Sequence, residues 1–124
     1  MQDNKKCILY VDDDQDMLDS VRLILEANGY EMAEAGSAEE GLRVYKKTNP
    51  DFVIVDLMME EVDAGTNFVK ELKALGNKVP IYMLSSVGDQ LNMSTDYHDL
   101  GLDGVLQKPL DPKHLLSVLK TKLG

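Results

Sequence analysis

The sequence predicts an α/β fold, a doubly wound, five-stranded parallel sheet in the order 2-1-3-4-5 with five helices, and three observations carry this. Short apolar runs recur at 7–11, 30–35, 51–55, 79–84 and 104–107, separated by stretches of helical spacing, so each strand returns by a crossover and not a hairpin. The central run, Phe52-Val53-Ile54-Val55, is unbroken by polar residues, as a strand buried on both faces of a parallel sheet requires. Four of the runs end in polar residues, at Asp12-Asp13, Asp56, Ser85 and Lys108, and an open doubly wound sheet places such strand ends along one crevice.

Each element has a local reason. Cys7–Val11 is the first strand and stops against Asp12, Asp13 and Asp14. Asp14 is an N-cap for a helix with Leu18, Val21, Ile24 and Leu25 on one face, and Gly29 is its stop. Tyr30 to Ala35 is a weaker second strand. Ser37-Ala38-Glu39-Glu40 has the capping-box pattern, opening a helix through Leu42, Val44 and Tyr45 that Asn49-Pro50 ends. Asp51–Val55 is the third strand, with Asp56 at its C-terminal end. The following connection, Leu57 to Gly65, with Glu60 and Glu61, has no clean period and reads as a functional loop. Phe68, Val69, Leu72 and Leu75 then share a helical face, with Gly76 as the stop. Val79–Leu84 is the fourth strand, with Pro80 tolerated near its start, and it ends at Ser85 and Ser86. Val87–Thr95 is polar and irregular, and a fourth helix is expected to end at Leu100. Gly104–Gln107 is the fifth strand, closed by Lys108-Pro109. Asp111-Pro112 supplies the N-cap and first residue of a last helix, apolar at Leu115, Leu116, Val118, Leu119 and Leu123.

Composition narrows the function. At 124 residues with 44% hydrophobic and 28% charged content, residues 1–124 make one domain with one ordinary core and no separate output domain. A net charge of −9 argues against direct binding to nucleic acid or an anionic membrane, both of which need clustered Lys and Arg. The single cysteine, Cys7, cannot form an internal disulfide and is expected in an ordinary buried position. No apolar run approaches the roughly 18 residues of a membrane span, and the polar start MQDNKK lacks a leader's apolar core, so the expected location is the cytoplasm.

The strand ends carry the chemistry. Asp12 and Asp13 follow the first strand and Asp56 the third, and the order 2-1-3-4-5 brings these strands side by side. Carboxylates this close repel unless a cation compensates. With little competing nitrogen or sulfur they form a hard-oxygen site suited to Mg²⁺ or Mn²⁺. A zinc site is unsupported, because His98, His114 and Cys7 lie in different elements, and both histidines read as solvated helix positions. A carboxylate can also act as a nucleophile toward phosphorus, and Asp56 is the best placed, with Ser85 and Lys108 arriving on the same edge.

The segments ILYVDDD at 8–14, VIVDLMM at 53–59, PIYMLSS at 80–86 and LQKP at 106–109, in this order and spacing, resemble the receiver domain of two-component response regulators over essentially the whole chain. The resemblance is to the chemotaxis-regulator type, with its flavodoxin-like sheet. It implies a phosphorelay switch, in which Asp56 takes a phosphoryl group from a sensor histidine kinase or a histidine phosphotransfer protein. It further implies that Asp13, Asp56 and the backbone carbonyl of Met58 ligate Mg²⁺ directly, Asp12 through water, while Ser85 donates to the phosphoryl group and Lys108 pairs with it. The domain would be a signalling phosphoacceptor that catalyses its own phosphorylation and dephosphorylation, and not an enzyme with a turned-over substrate. Its expected output face is the fourth helix, fifth strand and last helix, toward an unidentified downstream protein, with homodimer and heterologous contact both open.

The chain departs from the family at three places. Val105 stands where an aromatic switch residue is usual, Glu60 where a proline often follows the acceptor loop, and Ala64-Gly65 replaces glycine followed by an apolar residue. Three other readings compete. An aspartyl phosphatase of the haloacid dehalogenase type would carry a second Asp where Met58 stands. A degenerate receiver is opposed by the intact Asp12, Asp13, Asp56 and Lys108, though Val105 keeps it open. A flavodoxin-like cofactor binder would need a phosphate-cradling loop where three aspartates stand.

Overall fold

In the computed structural model the described residues are 5–56, 64–85, 102–108 and 110–123, and their five strands form one sheet in the order β2-β1-β3-β4-β5. The elements are β1 (Cys7–Val11), α1 (Gln15–Ala27), β2 (Glu31–Ala35), α2 (Ala38–Thr48), β3 (Phe52–Asp56), α3 (Ala64–Ala74), β4 (Ile81–Ser85) and β5 (Gly104–Gln107), then α4 (Pro112–Leu123), the helix expected as the fifth. All four strand pairs are parallel. The helix expected before Leu100, the acceptor loop with Met58 and Glu60, and Pro109 lie outside the described residues.

The sheet has a core on each face, which explains the unbroken apolar run of β3. Side chains alternate along a strand, so Val53 and Val55 join Leu9, Val11, Phe68, Leu72 and Met83 in one buried cluster. Phe52 and Ile54 join Ile8, Tyr10, Leu18, Leu25, Leu106 and Leu115 in the other. The first cluster contains residues of α3, the second residues of α1 and α4. Helices on opposite faces are what a doubly wound sheet requires, and the winding reverses between β1 and β3.

The predicted caps are formed. The Asp14 side chain accepts from the Asp16 amide at 3.0 Å and opens α1, and Gly29 follows that helix with a φ of 87° that favours glycine. Ser37 accepts from the Glu40 amide at 3.1 Å, while the Glu40 carboxylate reaches the Gly36 amide at 2.8 Å, one residue earlier than in the usual reciprocal box. Asp111 accepts from the Lys113 amide at 3.0 Å and opens α4.

Four details differ from expectation. Asp56 and Ser85 are the last residues of β3 and β4, because the parallel ladder continues through the pairs Asp56 with Leu84 and Ser85 with Gln107. Leu75 is half-exposed, one residue past the end of α3 at Ala74 and just before the turn at Gly76. Cys7 is only half-buried at the open end of β1, where its amide donates to Asp51 at 2.9 Å; burial, then Glu31 and Asp51, push its thiol up. Ala64 and Gly65 form the first turn of α3.

Gly104 is fitted to its neighbour. A Cβ there would lie 2.5 Å from the ring of Tyr82, which is itself buried and stacked on Phe52 with ring centroids 5.2 Å apart. The stacked ring has little room to retreat, so Gly104→Ala should destabilise the protein by about 1–3 kcal/mol. Urea unfolding measures this, and an unchanged midpoint would show that the rings yield freely. Among the described residues no helix is long and apolar enough to cross a membrane.

Candidate functional site

Three carboxylates meet at the C-terminal edge of the sheet because β1 and β3 are neighbours. One oxygen each from Asp12, Asp13 and Asp56 lies within 4.8 Å of the others; Asp12 and Asp56 are buried and Asp13 is exposed. The backbone of Asp12 continues the sheet edge, its amide donating to Ala35 at 3.0 Å. Its carboxylate also has structural partners: it accepts from the Asp14 amide at 2.9 Å and from the Tyr10 hydroxyl at 2.5 Å. Tyr10 could have been noticed in the sequence, since residues two apart on an extended chain share a face. Burial, and then Asp12, raise the Tyr10 hydroxyl well above its ordinary range, so it remains a donor.

The compensating cation arrives from β5. The Lys108 ammonium lies 3.1 Å from Asp56 Oδ1, and the Lys108 amide donates to the Ser85 carbonyl at 2.8 Å, tying the ends of β4 and β5 together. The Ser85 side chain is buried, and its Oγ has no hydrogen-bond partner among the described residues. A buried hydroxyl without a partner costs free energy, and at an edge lined with carboxylates and an ammonium it is a donor available to a ligand. Val105 is half-buried in β5, opposite Met83, and with Gln107, Asp111 and His114 it lines an open cleft beside α4. Met58 lies outside the described residues.

Burial and the charge of Asp12 push the Asp56 carboxyl up to about 6, with Lys108 pulling the other way. The native state therefore holds a proton that the unfolded chain releases from pH 3.8 upward. Stability of the metal-free protein should be full below that value, fall as pH rises through about 6, and then level, for a total loss of about 3 kcal/mol. Denaturant unfolding in EDTA across this window tests it; Asp56→Asn should flatten the slope, and a slope that survives the substitution would place the proton elsewhere.

The donor set fits a hard divalent cation. Three clustered carboxylate oxygens, with no imidazole or thiol in the group, suit Mg²⁺, which takes few protein carboxylates and leaves positions for water and phosphate oxygen.

This sheet with this edge is that of a receiver domain, and the chain belongs to the response regulator receiver domain family, which its residues 8–120 match. It is 36% identical to a probable transcriptional regulator, ycf27, of Cyanophora paradoxa, over 99% of this chain and 50% of that one. The chain thus spans about half the length of the curated relatives it matches. Among solved structures it superposes on a CheY-like response regulator receiver domain protein from Methanospirillum hungatei JF-1 with a TM-score of 0.86 and 31% identity, covering 97% of this chain and 94% of that one. The chemotaxis protein CheY4 of Vibrio cholerae gives a TM-score of 0.85 at 29% identity, covering 95% and 98%.

Proposed function

We propose that this receiver domain is a phosphorelay switch with Asp56 as phosphoacceptor. The observation that carries this reading is a buried Asp56 carboxylate paired with Lys108, on the same sheet edge as a buried Ser85 hydroxyl that has no partner among the described residues. The donor would be the phosphohistidine of a sensor histidine kinase or histidine phosphotransfer protein. An Asp56 oxygen attacks phosphorus, the phosphorus–nitrogen bond breaks, and its electron pair leaves on the imidazole. The Lys108 ammonium offsets charge on the phosphoryl oxygens, and the Ser85 hydroxyl donates to one of them. Asp12, Asp13 and Asp56 would hold Mg²⁺, with Mn²⁺ as a substitute, and that ion when bound supplies the positive charge that lets two anions approach. Water completes the cycle by hydrolysing the acyl phosphate, so the domain sets its own signal lifetime.

The proposed output face is the β5–α4 edge with the cleft of Val105, Gln107, Asp111 and His114, presented to a downstream protein or to a second copy of the chain. Valine has one stiff torsion and no ring to swing, so the signal does not leave through an aromatic rotamer at Val105. A cytoplasmic location belongs to this reading, since that is where kinase and receiver meet. Incubation with acetyl phosphate, read by intact mass, tests it: one phosphoryl group is expected with Mg²⁺ and none in EDTA. Equal labelling in both arms would remove the metal from the mechanism.

A further inference from the structure

The Tyr10–Asp12 contact is unexplained by phosphoryl chemistry. Tyr10 is fully buried in the core beneath α1 and α4, and its ring alone would serve there. A buried phenol needs a hydrogen-bond partner, and this one has the carboxylate of Asp12. Asp12 is also fully buried, and its two oxygens are held separately, Oδ2 by the Tyr10 hydroxyl and Oδ1 by the Asp14 amide. Two donors on two oxygens fix the plane of a carboxylate. An ionised carboxylate has about four acceptor positions, so a free direction remains on each oxygen for an ion or its water.

We propose that Tyr10 is a positioning residue of the metal site, whose buried hydroxyl orients the Asp12 carboxylate toward the space it shares with Asp13 and Asp56. The proposal rests on the reading of that cluster as a Mg²⁺ site. Without the hydroxyl, Asp12 is held through one oxygen only and can turn its other oxygen away from the cluster. Partners that orient the groups around a metal typically contribute roughly 10- to 100-fold in affinity, and Tyr10 is assigned that role.

Calorimetric titration of the full chain with MgCl₂, for the parent and Tyr10→Phe, tests it. Phenylalanine keeps the ring and removes one oxygen, and the expected result is a Kd for Mg²⁺ raised roughly 10- to 100-fold. Thermal unfolding of both proteins in EDTA separates this from a purely structural role, which would lower the melting temperature and leave the Kd alone. An unchanged Kd in Tyr10→Phe, beside clear binding by the parent, overturns the role of Tyr10 and leaves the site standing. No binding by the parent overturns both. Asp12→Ala and Asp12→Ala/Tyr10→Phe give a second test, in which position 12 carries no oxygen for the hydroxyl to orient and no buried carboxylate is left missing one donor. These two should bind Mg²⁺ equally, and weaker binding by the double variant would show that Tyr10 does not act through Asp12.

Discussion

Lys108→Ala should lower the melting temperature of the metal-free protein by roughly 10 °C near pH 8 and by much less near pH 5. The Lys108 ammonium is 3.1 Å from an Asp56 carboxylate that is almost wholly buried, and buried Asp12 lies in the same cluster. Removing one partner of such a pair leaves the other charge uncompensated, which costs about 3 kcal/mol or more. The carboxyl can limit that cost by taking up a proton, and with its pKa already pushed up to about 6 it does so readily on mild acidification. Near pH 5 the parent carboxyl is itself largely protonated, so Lys108 has less to offset. Mg²⁺ should also shrink the difference, because it supplies the missing positive charge. Thermal unfolding by circular dichroism in EDTA and in Mg²⁺ at both pH values measures all three effects. An equal loss under every condition would mean that Lys108 contributes through the packing of its aliphatic stem.

Asp13→Asn should move two quantities in opposite directions. Asp13 is the exposed member of the cluster, and among the described residues its carboxylate has no hydrogen-bonded or salt-bridged partner to lose. Neutralising it relieves repulsion from Asp12 and Asp56, which across a few ångströms of water-like medium is about 1 kcal/mol of added stability in EDTA. The same change removes a carboxylate proposed as a direct ligand, and Mg²⁺ affinity should fall by more than the roughly 10- to 100-fold typical of an outer partner. Melting curves in EDTA and magnesium titration make the comparison. A variant unchanged in both would place Asp13 outside the site.

The strands that build the edge were legible because their reasons are local. Phe52 to Val55 had to be buried on both faces, and the two core clusters divide those four residues between opposite sides of the sheet. Asp14, Ser37 and Asp111 announced three helix starts, and each forms its cap. Strand ends were less legible by a residue or two. Nothing in the composition of Asp56 or Ser85 shows that the backbone ladder continues through them, since that depends on the register of neighbouring strands. The structural partners of Asp12, the Tyr10 hydroxyl and the Asp14 amide, become visible only once the extended chain places them. Leu75 shows the converse error: its spacing from Leu72 fits the apolar stripe, but it stands past the last residue of α3 and is half-exposed. The identities of the site residues could be read because a strand ending in a carboxylate is a pattern along the chain. The pairing of Asp56 with Lys108 brings together residues from separate strands, and their 3.1 Å contact needed the structure.

Peptide mapping of the phosphoryl group tests the central claim most directly. Acetyl phosphate with Mg²⁺ should place a single acid-stable, base-labile phosphoryl group on the peptide containing Asp56, and Asp56→Asn should accept none under the same conditions. The carboxylate is buried, paired and close to two others that can share a cation with it, and an asparagine amide offers no comparable nucleophile. Labelling that persists in Asp56→Asn, or that maps in the parent to Asp12 or Asp13, would contradict the assignment of Asp56 as phosphoacceptor.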